Sequence, residues 1–192
     1  MRDSSRLVAA LVATVTALLL QVTVMPHLAY DGVVADLVLL VVVAAALVTD
    51  ARFATLLGFG AGLLLDLAPP GDHVAGRWAL ALMVVGYVVG RLAHDHPSVA
   101  DRRPALPVML AAAAGGSFVG SSVFALTGVL LSDPSVPFAD QLGVVLTALA
   151  LDVVVALVVV PLTVWLFTRR SGPPPTQVTP RLPLPARRTV VR

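Results

Sequence analysis

Five residue types are missing from this 192-residue chain: Cys, Lys, Glu, Ile and Asn. Without Cys there is no disulfide, no thiol nucleophile and no Cys-ligated metal. Without Lys and Glu, every cation is Arg and every acid is Asp. Lys, Ile and Asn are encoded by AT-rich codons, so their joint absence points to a GC-rich bacterial genome. Charge of either sign is also scarce. Only 12% of residues are charged, while 58% are hydrophobic. A soluble domain of this length cannot cover that much apolar surface. The chain reads as a polytopic membrane protein.

What is present falls into six apolar runs, at residues 7–25, 33–48, 53–68, 78–92, 105–131 and 142–167. Each is read as a transmembrane helix, which makes the fold class all-α. The first run starts after a short basic end and mimics a signal peptide. It is longer than a signal core and lacks a cleavage site leading into a soluble domain, so it is read as retained. The third run is short, about 24 Å at 1.5 Å per residue against a core of roughly 30 Å. Pro26–Gly32, Thr49–Arg52, Pro69–Asp72, Ala93–Pro104 and Ser132–Gln141 are the connections. From Arg169 the chain carries six prolines and six arginines in 24 residues. That composition cannot bury a core, so 169–192 is read as a disordered basic tail.

The arginines set the orientation. With the N-terminus in the cytoplasm and six crossings, cytoplasmic segments hold Arg2, Arg6, Arg52, Arg91, Arg102, Arg103 and six tail arginines. Exterior segments hold Arg77 alone. Twelve against one is a strong positive-inside bias and predicts both termini in the cytoplasm.

Two kinds of constellation stand out. Gly58-x-x-x-Gly62, Gly86-x-x-x-Gly90 and Gly116-x-x-x-Gly120 are small-residue pairs that let helices approach closely. Gly58, Gly62 and Asp66 share one helix face. These glycines pack helices within the chain or against a partner. The second set is the apolar-run acids Asp36, Asp66 and Asp152. A carboxylate in lipid is expensive and must face protein or water. One reading is an ion or ligand site; the other is a set of carboxyl groups that hydrogen-bond neighbouring helices. Arg77 is a candidate partner for Asp66 or Asp72, whereas Arg91 lies at the opposite membrane face from Asp66. His94-Asp95-His96 has no third ligand at a typical spacing and reads as a solvated loop, not a metal site. Gly58-x-Gly60-x-Gly62 has no preceding strand and no acidic ribose reader, so it is not a dinucleotide loop. Nothing combines a nucleophile, a base and an orienting group, so no catalytic residue, cofactor, metal or nucleic-acid partner is expected.

Residues 35–92 resemble the bacterial rod-shape-determining MreD family. The likeness rests on Asp36-Leu37, Gly58-Phe59, Gly62-Leu63-Leu64-Leu65-Asp66-Leu67, Gly76, Ala79-Leu80, Val85-Gly86-Tyr87 and Gly90-Arg91-Leu92. Family members often have Pro before the first Asp and Pro-Leu-Gly in the loop; here Ala35 and Val74-Ala75-Gly76 stand instead. The resemblance implies a noncatalytic component of the cell-elongation machinery in the bacterial inner membrane. The partners it implies are MreC and, through it, the actin-like MreB and the lateral-wall polymerase and transpeptidase. On that reading Asp36, Gly58, Gly62, Asp66, Gly86, Gly90 and Arg91 pack helices or meet a partner, and Asp152 and Arg77 are buried polar groups. The MreD family is itself distantly similar to the substrate-binding S components of vitamin transporters. That gives a second expectation, in which Ala9, Ala13 and Ala17 dock a coupling subunit; the polar groups in the outer half, Asp36, Asp66 and Gln21, are too few and too like one another for a vitamin site.

Overall fold

The computed structural model describes residues 2–69, 74–95, 104–131 and 141–170. Its regular structure there is helical: α1 (Arg2–Thr23), a single 3-10 turn (Met25–Leu28), α2 (Leu37–Val48), α3 (Ala51–Leu67), α4 (Arg77–Asp95), α5 (Leu106–Leu130) and α6 (Gln141–Arg170). Of the tail expected over 169–192, Arg169 and Arg170 are the end of α6 and the rest lies outside the described residues, as do part of the loop before α4 and most of the loops before α5 and α6.

The helices start and stop where local chemistry dictates. Pro26 follows α1 and sits in the 3-10 turn, where its missing N–H costs nothing. Tyr30 and Val33 then exchange two backbone hydrogen bonds of 2.9 Å. The residues between them, Asp31 and Gly32, both have positive φ, at 50° and 77°. That is the geometry of a type I′ turn, which Asp-Gly favours. The sequence expectation began the second span at Val33; this turn holds Val33 extended, and α2 begins only at Leu37. Asp36 is its N-cap, with Oδ1 accepting from Leu39 N–H at 2.9 Å. At the other end Thr49 closes α2 by donating its hydroxyl to the Ala45 carbonyl at 2.7 Å. Asp50 immediately caps α3, accepting from Phe53 N–H at 2.9 Å. Two residues thus suffice to reverse the chain.

α2 organises the bundle. Every residue from Leu37 to Leu47 is buried, and α2 touches all five other helices. A helix that is apolar all round has no face to give to solvent and belongs at the centre. At 12 residues it is about 18 Å long, well short of a bilayer core. It needs no match to lipid thickness because protein surrounds it. α5 makes room for it: a Cβ on Gly116 would lie 2.6 Å from Val43, and one on Gly120 2.8 Å from Leu39.

The outer surface inverts the pattern of a water-soluble protein. Leu7, Leu11, Val15 and Leu19 form an exposed stripe on α1, and Val154, Val158 and Leu162 form another on α6. Spacing of four residues keeps each stripe on one face. Continuous apolar surface of this kind calls for an apolar solvent. Three helices, α1, α5 and α6, are long and apolar enough to cross a membrane.

Candidate functional site

The α3–α4 hairpin carries most of the residues singled out in the sequence. Its two helices interlock through glycines contributed by both sides. A side chain on Gly58 would strike the Leu82 carbonyl, and one on Gly62 the Trp78 carbonyl. In return, Gly86 faces the Ala54 carbonyl and Gly90 the Ala51 Cα. The four pairings follow a single antiparallel register, so backbone meets backbone along the whole hairpin. Gly60 lies off this line, with nothing within 4 Å of the place a Cβ would occupy. The spacing of four, not the Gly-x-Gly-x-Gly run, therefore carries the packing.

Asp66 closes the hairpin. Its Oδ1 accepts from Trp78 N–H at 3.1 Å and its Oδ2 from Ala79 N–H at 3.0 Å. Those are N–H groups of the first turn of α4, which have no intrahelical acceptor. The residue before α4 is Gly76, with φ +98° and no side chain to cap with. The carboxylate of α3 supplies the missing cap at the amino end of α4. Sequence spacing placed Asp66 on the glycine face, but the cap it makes is a contact between two helices that no local motif announces.

Arg77 follows at the same end. It is only 2% exposed. Its Nη2 donates to the Phe124 carbonyl at 2.8 Å, and its guanidinium lies 3.9 Å above the Phe124 ring. Trp78 packs on the same ring, with centroids 4.4 Å apart. Gly128 on α5 leaves the space that the guanidinium fills. Arg77 thus ties α4 to α5. Its expected pairing with Asp72 lies outside the described residues. Beside it is a cavity of about 310 Å³, lined among others by Val33, Val34, Trp78, Ser121 and Ala148. Arg91 sits at the far end of the hairpin and is exposed, next to Tyr87 and Arg52.

The other two acids meet. Asp152, 2% exposed, accepts Asp36 N–H on Oδ1 at 2.6 Å and the Ser117 hydroxyl on Oδ2 at 2.5 Å. Gln21 Oε1 accepts Val38 N–H at 3.0 Å. With the Asp36 cap on Leu39, side chains from α1 and α6 and the cap residue itself satisfy the buried amino end of α2. This explains why an Asp sits in the middle of the most apolar of the three long helices: it holds the end of a second helix inside the bundle. Asp36 Oδ2 is buried and has no hydrogen-bond partner. Ser117 went unmarked in the sequence, although a Ser between Gly116 and Gly120 on a helix facing an acid is a signal that can be read.

Two further expectations can be located. Ala9 and Ala17 are buried and Ala13 is half-buried, and Ala13 and Ala17 pack on the central core. The stripe faces inward and is already covered. His94 Nδ1 bonds the Gly90 carbonyl of its own helix at 2.8 Å. His96 lies outside the described residues, and among those described no three His or Asp side chains gather as for a metal ion.

No protein-family model, no curated protein and no solved structure matches this chain.

Proposed function

We propose that this chain is a noncatalytic, six-span inner-membrane protein of the bacterial cell-elongation machinery, with both termini cytoplasmic, and that it works by packing against membrane partners such as MreC. The observation that carries the reading is the resemblance of residues 35–92 to the MreD family, together with what those residues build. They make one unit, the α2–α3–α4 segment. Gly58, Gly62, Gly86, Gly90, Asp36 and Asp66 point inward, where they fix the hairpin and the central helix. Its large apolar and aromatic members point outward: Phe59, Leu63 and Tyr87 are exposed. A motif divided in this way rigidifies a hairpin from behind and leaves its front for a partner helix.

Six crossings draw support from the arginines. Arg52 at the start of α3 and Arg91 near the end of α4 lie together at one end of the hairpin, while Asp66 and Arg77 lie at the other. The apolar stripes on α1 and α6 call for lipid around the bundle.

A transporter S component is the second reading, and the cavity beside Arg77 is the observation in its favour. Against it stands the Ala9–Ala13–Ala17 stripe, of which Ala9 and Ala17 are buried within the chain and only Ala13 is half-exposed to a coupling subunit. Crosslinking in cells followed by co-purification separates the two. Recovery of MreC with lateral-wall enzymes is the expected result. Recovery of an ATP-driven transporter core, with uptake of a small molecule lost and morphology unchanged on deletion, overturns the first reading.

A further inference from the structure

The buried amino end of α2 has one feature that helix capping leaves unexplained. Two carboxyl groups, Asp36 and Asp152, are enclosed side by side, 8% and 2% exposed. Asp36 offers its own N–H to Asp152 Oδ1 at 2.6 Å, so the two acids lie within one residue's reach of each other. Two negative charges at that separation, away from water, repel strongly. The positive end of the short α2 offsets about half a unit of charge. Of the four carboxyl oxygens, three are occupied. Both Asp152 oxygens accept strong donors, Asp36 N–H and the Ser117 hydroxyl, and Asp36 Oδ1 accepts Leu39 N–H. The fourth, Asp36 Oδ2, is buried with no donor.

We propose that the Asp36–Asp152 pair is a proton-binding site, with the proton carried on Asp36 Oδ2. The division of roles follows from the bonds. Asp152 is held by two donors and is the anion. Asp36 Oδ2 makes no hydrogen bond, although Gln21 and the Val38 N–H lie close to the Asp36 carboxyl, and a neutral O–H left unpaired is far cheaper to bury than an unpaired charged oxygen. The proton is taken from hydronium: the Oδ2–H bond forms, and water leaves. No bond of the chain breaks.

A cavity lies near the site. The cavity beside Arg77 is lined by Val33, Val34, Ser121 and Ala148. Ser121 is one helical turn from Ser117, Ala148 is one turn from Asp152, and Val34 is two residues before Asp36. The cavity therefore ends one helical turn from the pair on α5 and α6, and two residues from it along the segment before α2. The groups that face the pair are Gln21 from α1, Ser117 from α5 and Asp152 from α6. α4 sends Arg77 to the cavity wall one turn away, and Asp66 of α3 is engaged with the amino end of α4.

Infrared difference spectroscopy of the full chain in lipid nanodiscs tests this directly, because a carboxylic-acid carbonyl absorbs apart from carboxylate and amide groups. At neutral pH the parent should show one acid band that shifts in D2O. Asp36→Asn keeps position 36 uncharged and should fold, but lose the band. Asp152→Asn leaves Asp36 buried with Oδ2 still making no hydrogen bond, so the band should persist; it serves as the second variant if the first does not accumulate. Absence of an acid band in the parent at neutral pH overturns the proposal, as does a band that survives Asp36→Asn or one that Asp152→Asn abolishes. A carboxylate band that changes when sodium replaces choline, without an acid band, overturns it in favour of a bound metal cation.

Discussion

Alanine at Gly62 is the sharpest probe of how this bundle is held together. A Cβ there would lie 2.5 Å from the Ala79 Cα and closer still to the Trp78 carbonyl. Non-bonded carbon atoms rest at about 3.5–4.0 Å, so α4 must retreat by roughly 1–1.5 Å at this point. Neither obstacle is a flexible side chain that can swing away; both are backbone. Overpacking of this kind costs about 1–3 kcal/mol. The same retreat pulls Trp78 N–H and Ala79 N–H from Asp66, now 3.1 and 3.0 Å away. Losing one hydrogen bond to a charged group adds roughly 1.5–3 kcal/mol. The expected total for Gly62→Ala is therefore about 2.5–6 kcal/mol, against a helix-propensity gain of about 1 kcal/mol for replacing Gly by Ala. Gly60→Ala, two residues away in the same helix, has that gain and no clash. Reversible unfolding in mild detergent, with both variants and the parent compared at one detergent ratio, reads the difference. Gly62→Ala should unfold markedly earlier and Gly60→Ala should match or exceed the parent. Equal behaviour of the two variants would refute interlocking through the Gly58–Gly62 face.

Asp66→Asn should destabilise the hairpin by about 1–3 kcal/mol, because an amide keeps one acceptor oxygen and turns its NH2 toward the second N–H; Asp66→Leu should cost more, and the same unfolding assay ranks them. Gly128→Ala should expel the Arg77 guanidinium from its place on Phe124, losing about 1–2 kcal/mol, and Phe124→Leu, which keeps the carbonyl but removes the ring, should recover most of the parent's stability. Reporter fusions after Ala29, Pro70 and Pro134 should read as exterior and those after Ser98 and Ser171 as cytoplasmic; an exterior signal at Ser171 contradicts six crossings. Truncation after Ser171 should leave accumulation of the membrane region unchanged, as judged by immunoblot of membrane fractions, since the removed sequence has no core to contribute.

The parts of this molecule that can be read from sequence are those fixed by periodicity. Six helices, their approximate limits and the face shared by Gly58, Gly62 and Asp66 follow from hydropathy and 100° per residue. What periodicity cannot supply is which helix a given face meets. Asp36 and Asp152 are 116 residues apart, and each looks alone in its own apolar run; only packing reveals that one caps the helix the other begins. The same limit hides the centre of the bundle. Residues 37–48 read like any other apolar span, and their central place becomes visible only as contact with all five neighbours. One local property did point there. The other hairpin members alternate small and large residues by face, whereas Leu37–Leu47 offers no polar or small-residue stripe at all. A helix without a distinguishable face gains nothing from lying at a boundary, so protein is its natural surround. Once it is enclosed, its free amino end must be satisfied by whatever polar groups the neighbours carry. Asp36 and Asp152 are therefore a consequence of burying a short helix, and the proton proposed for them follows from needing two acids at one end.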